Sequence, residues 1–267
     1  VQQGSHGMTR LPASRLMLWL FGLLVMLFLL GPLLAIVPLS FSAGSFLTYP
    51  LPGLSLRWYA DFLTSDFWMP ALRNSLVIGL GASAIATVLG TAAAFGLWRT
   101  RFPGQTLVLG VLMTPLVMPS IIVAVALLLA FGPLGLTNSF AGMILAHAAL
   151  GAPFVVTTVS TALAQFDPVL LRAASACGAG PGLAFRRVVL PRIAPGVAAG
   201  ALFAFATSLD EVVVALFISG PAQRTLPRQM FSGLNDQISL TITAAATIMV
   251  ALALLLLLAL GWLRRGR

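Results

Sequence analysis

Six apolar stretches decide what this chain can become. They run at about 16–38, 74–97, 106–131, 139–163, 195–218 and 238–263. A helix needs about 20 mostly apolar residues to cross the hydrocarbon of a bilayer. In that medium every backbone N–H and C=O must find a partner within the protein, so stretches of this length read as helices. The expected fold class is an all-α membrane protein with six transmembrane helices. These form one transmembrane domain over 16–267, preceded by a tail over 1–15. Composition agrees: 59% of residues are hydrophobic and 8% are charged, against about 25% charged in a soluble domain. Arg10 and Arg15 ahead of the first stretch imitate a secretory leader, but the apolar run is longer than a leader's core. It is read as a retained span. The Gly4-Ser5-His6 run before Met8 reads as leftover cloning sequence within residues 1–7.

The 15 basic residues are all arginine, and they are sorted. With the N-terminus inside, the inner side holds Arg10, Arg15, Arg99, Arg101, Arg172, Arg186, Arg187, Arg192, Arg264, Arg265 and Arg267. The outer side holds only Arg57, Arg73, Arg224 and Arg228. Arginine excess marks the cytoplasmic side, so both termini and the loop over 164–194 are expected in the cytoplasm. The net charge of +9 then reflects membrane orientation rather than nucleic-acid binding. A Walker A loop needs Gly-Lys-Ser/Thr, and this chain has no lysine, so ATP use would belong to a partner. Cys177 is the single cysteine, which excludes an internal disulfide and a cysteine metal site. No His/Cys/Asp cluster suggests a metal or a covalent intermediate.

The 165–195 stretch carries a second signal. Asp167 can cap free N–H groups, and Pro168 is pre-shaped for a first helical position. Leu170, Leu171, Ala174 and Cys177 follow at helical spacing on one face. Gly178, Gly180, Pro181 and Gly182 read as a stop, and Leu190-Pro191 as the opening of the next turn. A helix of about three turns is marginal in water. It needs a groove, which a partner protein can supply.

Arg172-Ala173-Ala174, then Gly178, then Val188, Leu190 and Pro191 resemble the EAA loop of membrane subunits of binding-protein-dependent ABC importers. The spacing is that of the family, with Arg172 standing where the family has Glu. Thr207-Ser208-Leu209-Asp210-Glu211-Val212-Val213, followed by Phe217-Ile218-Ser219-Gly220-Pro221 and Leu226-Pro227, is similar to the spermidine/putrescine branch. Asn74-Ser75-Leu76 and the Arg99–Arg101 exit look like the same family. The resemblance implies a type I ABC importer permease fold in a bacterial inner membrane. It implies a second permease subunit, a different chain in this branch, two ATPases that bind ATP and Mg, and a periplasmic substrate-binding protein. On that reading the chain holds no cofactor and is a transport subunit rather than an enzyme. Leu170, Leu171, Arg172, Ala173, Ala174, Cys177 and Gly178 are the expected ATPase-coupling residues, with Leu170, Leu171, Ala174 and Cys177 as apolar seating contacts. The implied substrate is a polyamine, with phosphonates, opines, amino-acid-like solutes and ferric iron as alternatives.

Asp210 and Glu211 are the expected pathway residues. Charges at depth cost roughly 2.5–3.5 kcal/mol each at a helix centre, so they should face a cavity or a partner. Neighbours on a helix point about 100° apart, so one can line the pathway while the other pairs with an arginine or a backbone N–H. A structural ion pair between subunits is the competing role. His147 in the fourth span is either functional or a neutral hydrogen-bonded core residue. Pro115 and Pro119 should bend the third span, as a cavity-lining break or as a packing kink. In the 39–72 loop, Leu56, Tyr59, Phe62 and Leu63 suit a short amphipathic helix, with Trp58 and Trp68 as interface anchors. Two rivals stand beside the importer. An ion-coupled carrier would use Asp210 and Glu211 as its coupling site, and a non-transporting scaffold would need no charge inside a span.

Overall fold

The computed structural model describes residues 13–236 and 239–265. The Gly4-Ser5-His6 run, Met8, Arg10 and Arg267 lie outside the described residues. The first apolar stretch forms α1 (Ala13–Leu39). Its side chains are almost all exposed and its main neighbour is the last helix, as suits a helix surrounded by lipid. The outer loop contains α2 (Arg57–Thr64), which buries Trp58 and Phe62. Trp58 is therefore no interface anchor. Its Nε1 donates to the Ser42 carbonyl at 2.8 Å, and its ring packs with Leu39, Leu240 and Ala244. Leu56 and Leu63, expected on the packed face, are exposed instead, because the indole at position 58 fills the inward position. Trp68 is likewise packed, in the cluster of Phe62, Ala71 and Leu226.

The bundle core is made by α3 (Trp68–Arg99), α6 (Phe140–Ala164) and α9 (Leu190–Asp210). Lipid supplies no hydrophobic drive between helices, so close approach through small residues supplies dispersion contact. A Cβ at Gly90 would lie 2.8 Å from the Val155 Cβ, and one at Gly151 would lie 2.8 Å from the Ala204 Cβ. The contact order gives direction. Gly81 meets Ile144, and Gly90 meets Val155, so α3 and α6 run parallel. Gly151 meets Ala204, and Gly200 meets Val155 and Thr158, so α9 runs against them.

Parallel α3 and α6 require the chain to return across the membrane between them. That return is made by α4 (Gln105–Val117) and α5 (Ser120–Phe131), bent by 112°. At about 1.5 Å per residue neither half alone crosses 30 Å of hydrocarbon. The third span is thus broken rather than kinked. Met118 (ψ 142) and Pro119 (ψ 133) are both extended, because proline has no N–H to donate and pushes the residue before it out of the helical region.

After α6 come α7 (Pro168–Ala176) and α8 (Pro181–Ala184), then a five-residue π segment, Phe185–Val189, that runs directly into α9. The expected stop is found at Cys177-Gly178, and Pro181 then opens α8 at a first-turn position where its missing N–H costs nothing. Leu190-Pro191 lies within the helix rather than at a turn. The π segment ends at Val189, two residues before Pro191, and such bulges are a recognised way to interrupt the regular ladder. The fifth span also ends early. α9 stops at Asp210, and α10 (Val213–Ile218) follows as a separate short helix packed on α5. The outer segment 219–237 holds a 3₁₀ turn, Pro221–Gln223, and α11 (Leu226–Asp236), followed by α12 (Thr241–Arg265).

Candidate functional site

At the end of the bundle that carries α7, the Asp167 carboxylate accepts from the Val169 N–H at 2.9 Å and Pro168 occupies the first turn of α7. Cys177 is the C-cap, and Gly178 takes φ 82°, a conformation in which any side chain would be strained. Leu170 and Leu171 are half-buried. They pack against the chain's own core around Leu163, Phe166 and Val189, so the apolar face seats α7 on its own bundle. Leu171 also lines the open groove on one side of α7. Ala174 is half-buried, while Arg172, Ala173, Cys177 and Gly178 are exposed. Val169, which the sequence reading passed over, is 50% exposed. A groove of about 700 Å³ between α7 and the end of α3 is lined by Trp98, Arg99, Arg101, Pro168, Leu171, Arg172 and Ser175. A smaller one of about 240 Å³ lies on the other side, beside Asp167, Leu170 and Arg192.

At the outer end, Asp210 and Glu211 do not share a continuous helix. Asp210 is the last residue of α9, and Glu211 is extended (ψ 114). The Glu211 Oε1 accepts from the Val214 N–H at 2.8 Å, which satisfies one orphan donor at the start of α10. Of the two partners anticipated for one carboxylate, the backbone N–H is therefore the one found. Asp210 is exposed. It closes a stripe of Phe203, Ala206 and Thr207 at helical spacing along a cleft of about 590 Å³ between α9 and α12. Its level follows from packing. Ser208 bonds His147, which lies five residues before the middle of α6. Asp210 lies two residues further along α9, so it stands about 10 Å from the level of the middle of α6 at 1.5 Å per residue.

His147 is 1% exposed, and its Nδ1 lies 2.7 Å from the Ser208 Oγ. Its Nδ1 bond ties α6 to α9 close to the break, while its Nε2 is buried with no partner among the described residues. Two further fasteners were not foreseen. The Asn74 Nδ2 donates to the Ala222 and Arg224 carbonyls, both at 2.9 Å, and the Ser75 Oγ accepts from the Leu226 N–H at 2.7 Å. Arg228 donates to the Ser219 hydroxyl and carbonyl and to the Gly220 carbonyl, capping the carbonyl end of α10. Burial, and then repulsion from Arg224, lowers the Arg228 pKa from its usual value. The available signal was a polar Asn-Ser pair at the start of an apolar stretch, where unpaired loop carbonyls need donors.

A helical bundle that crosses the membrane six times, with a short capped helix at one end and a carboxylate-bearing break at the other, is the architecture of a transport subunit. The comparisons agree. Residues 86–267 match the family described as "Binding-protein-dependent transport system inner membrane component". The spermidine/putrescine transport system permease protein PotC of Escherichia coli (strain K12) is 33% identical over 216 residues, covering 81% of each chain. The putrescine transport system permease protein PotI of the same strain is 37% identical over 227 residues, covering 82% of this chain and 80% of that one. A crystal structure of a bacterial alginate ABC transporter, in complex with an alginate pentasaccharide-bound periplasmic protein, superposes with a TM-score of 0.69. It shares 17% identity over 95% of this chain and 94% of that chain. This chain belongs to the family of inner-membrane permease components of binding-protein-dependent ABC importers. Such permeases are transport components and not enzymes, which sets aside both the ion-coupled carrier and the scaffold.

Proposed function

We propose that this chain is one half of the membrane pathway of an importer for polyamines. The fold does not select that substrate, since a transporter of an acidic polysaccharide shares it. The observation that carries the proposal is the exposed Asp210 carboxylate at the end of α9, along the cleft beside α12, in a chain similar to spermidine and putrescine permeases. A carboxylate and an ammonium about 4 Å apart attract by about 4 kcal/mol at an effective dielectric of 20. That attraction recruits a cation and still releases it. Phe203 lies two turns along the same stripe and offers a ring face to the methylene-linked ammonium groups.

The remaining parts follow the family pattern. A second permease, a different chain, completes the pathway. Two ATPases hold ATP and Mg and dock at the α7 surface of each permease, and a periplasmic binding protein delivers the solute. The termini and α7 face the cytoplasm. Closure of the ATPases moves α7, and through Leu170 and Leu171 that movement passes into the bundle core, giving alternating access. The outward surface of Val169 and Ala173 meets the ATPase.

The test is ATPase turnover of the reconstituted complex with binding protein loaded with spermidine. Wild type is expected to be stimulated. Asp210→Asn is expected to lower spermidine uptake at least tenfold while leaving assembly intact. Val169→Asp is expected to release the ATPase. Stimulation by an uncharged solute but not by spermidine would overturn the substrate assignment. Retention of the ATPase by Val169→Asp would overturn the docking surface.

A further inference from the structure

A basic concave surface, a groove of about 700 Å³ between the last turn of α3 and α7, brings Arg99, Arg101 and Arg172 together beside Trp98. All three arginines are exposed. The Arg99 guanidinium carbon lies 5.9 Å from the centre of the Phe95 ring. Asp167, the acid closest in sequence to Arg172, commits its carboxylate to the α7 N-cap and lines the opposite groove. Indole fixes the level of the groove relative to the bundle: Trp98 packs edge-on against Phe166, with ring centroids 5.7 Å apart.

Depth selects the occupant. Gly81 is level with Ile144 and Gly90 with Val155, so the parallel helices α3 and α6 keep register and Arg99 ends level with Ala164. Ala164 is twelve residues from the middle of α6, about 18 Å at 1.5 Å per residue, and Arg99 closes the 32-residue α3, about 23 Å from that helix's own middle. The hydrocarbon ends at about 15 Å from the centre and the headgroups at about 20–22 Å. With the two helices centred on the bilayer, Arg99 falls between the headgroup layer and its aqueous edge, and Trp98 beside it suits an interfacial level, where an amphipathic ring is favoured. A partner protein docking from the cytoplasm meets α7 from outside this layer. A phosphodiester within it meets the groove directly.

We infer that this groove binds the phosphate of an anionic phospholipid. The guanidiniums of Arg99, Arg101 and Arg172 supply forked donors for phosphate oxygens, and the acyl chains leave toward α4. Leu107 and Val111 are exposed there, and the Gln105 Nε2 bond to the Leu97 carbonyl at 2.6 Å holds the first turn of α4 beside the groove. Arg172 belongs to α7, so a bound lipid joins the coupling helix to the membrane surface. The inference is independent of which solute is carried.

The test places the assembled transporter in nanodiscs and reads tryptophan quenching by brominated phosphatidylglycerol or brominated phosphatidylcholine at equal mole fraction. Trp19 and Trp262, both lipid-exposed, are first replaced by phenylalanine. The signal that disappears in Trp98→Phe is that of the groove. Phosphatidylglycerol is expected to quench Trp98 in clear excess, and each Arg→Gln change is expected to lower that preference by about fivefold. Quenching by phosphatidylcholine reports insertion of every variant. Arg101→Gln, which lies beyond the end of α3, gives a graded effect should the triple variant fail to insert. Equal quenching by both lipids in the parent protein overturns the inference. So does a triple variant that keeps its preference. Release of the ATPase by the triple variant, with no lipid preference in the parent, assigns the groove to an acidic protein surface and also overturns it.

Discussion

Two spans of this protein are broken, and they are broken by different chemistry. At Met118-Pro119 the break is favoured by a missing donor: proline cannot continue the ladder, and the chain turns by 112°. At Asp210-Glu211 there is no proline or glycine. The helix ends because Glu211 becomes extended and offers its carboxylate to the Val214 N–H. The first break removes a hydrogen-bonding group, and the second adds one. The consequence is a division of labour between adjacent acids. Glu211 is held by the backbone, whereas Asp210 is left exposed in the cleft beside α12. Adjacent carboxylates of one chain thus have separate physical settings, one bonded to the backbone and one exposed.

That division predicts separable phenotypes. The largest effect is expected from Asp210→Asn: spermidine uptake falls at least tenfold, and thermal stability in detergent or nanodiscs is unchanged. Loss of stability without loss of uptake would exchange the roles of the two acids. Next comes Glu211→Ala, which removes the acceptor at the start of α10. Losing such a cap costs roughly 0.5–2 kcal/mol. Glu211→Gln keeps an oxygen acceptor and should recover most of that loss, as read by melting temperature. Equal destabilisation by Ala and Gln would mean that charge, rather than the hydrogen bond, matters at this position. At the inner end, Leu171→Asp loses a half-buried side chain from the core and should cost more stability than Val169→Asp, whose parent side chain is exposed.

How much of this was legible in the sequence follows the same divide. Span positions were readable because apolar length is a property of consecutive residues. α7 was readable because Asp167-Pro168 and Gly178 are local signals. The Pro119 break was readable as a bend, though its angle depends on α5 packing against α10. The Glu211 break was not readable, because valine and leucine surround it and the cap exists only once the chain has turned. Which face of α7 is free was also hidden. Leu170 and Leu171 look like docking residues in one dimension, and only the folded bundle shows that they also pack against its core. Trp58 misled for a related reason: tryptophan near a span end suggests an interface, but the Ser42 carbonyl gave its indole N–H a buried partner.

The smallest expected effect is the most discriminating one for the comparison. Pro119 is extended, at φ −55 and ψ 133, a conformation open to any residue. Pro119→Ala therefore removes no native contact through the backbone. It mainly frees the unfolded chain, at a cost of about 0.4–1 kcal/mol. The bend itself should survive, because α5 is held by α10 at Ala124, Val214, Ala215 and Ile218. Distance measurement between spin labels at Val111 and Leu129 checks this. An unchanged distance means that packing maintains the break and that proline only favoured it. A longer distance, as α4 and α5 straighten, means that proline alone imposes the turn. In that case the two breaks would differ in strength as well as in chemistry, with the Glu211 break the more firmly built.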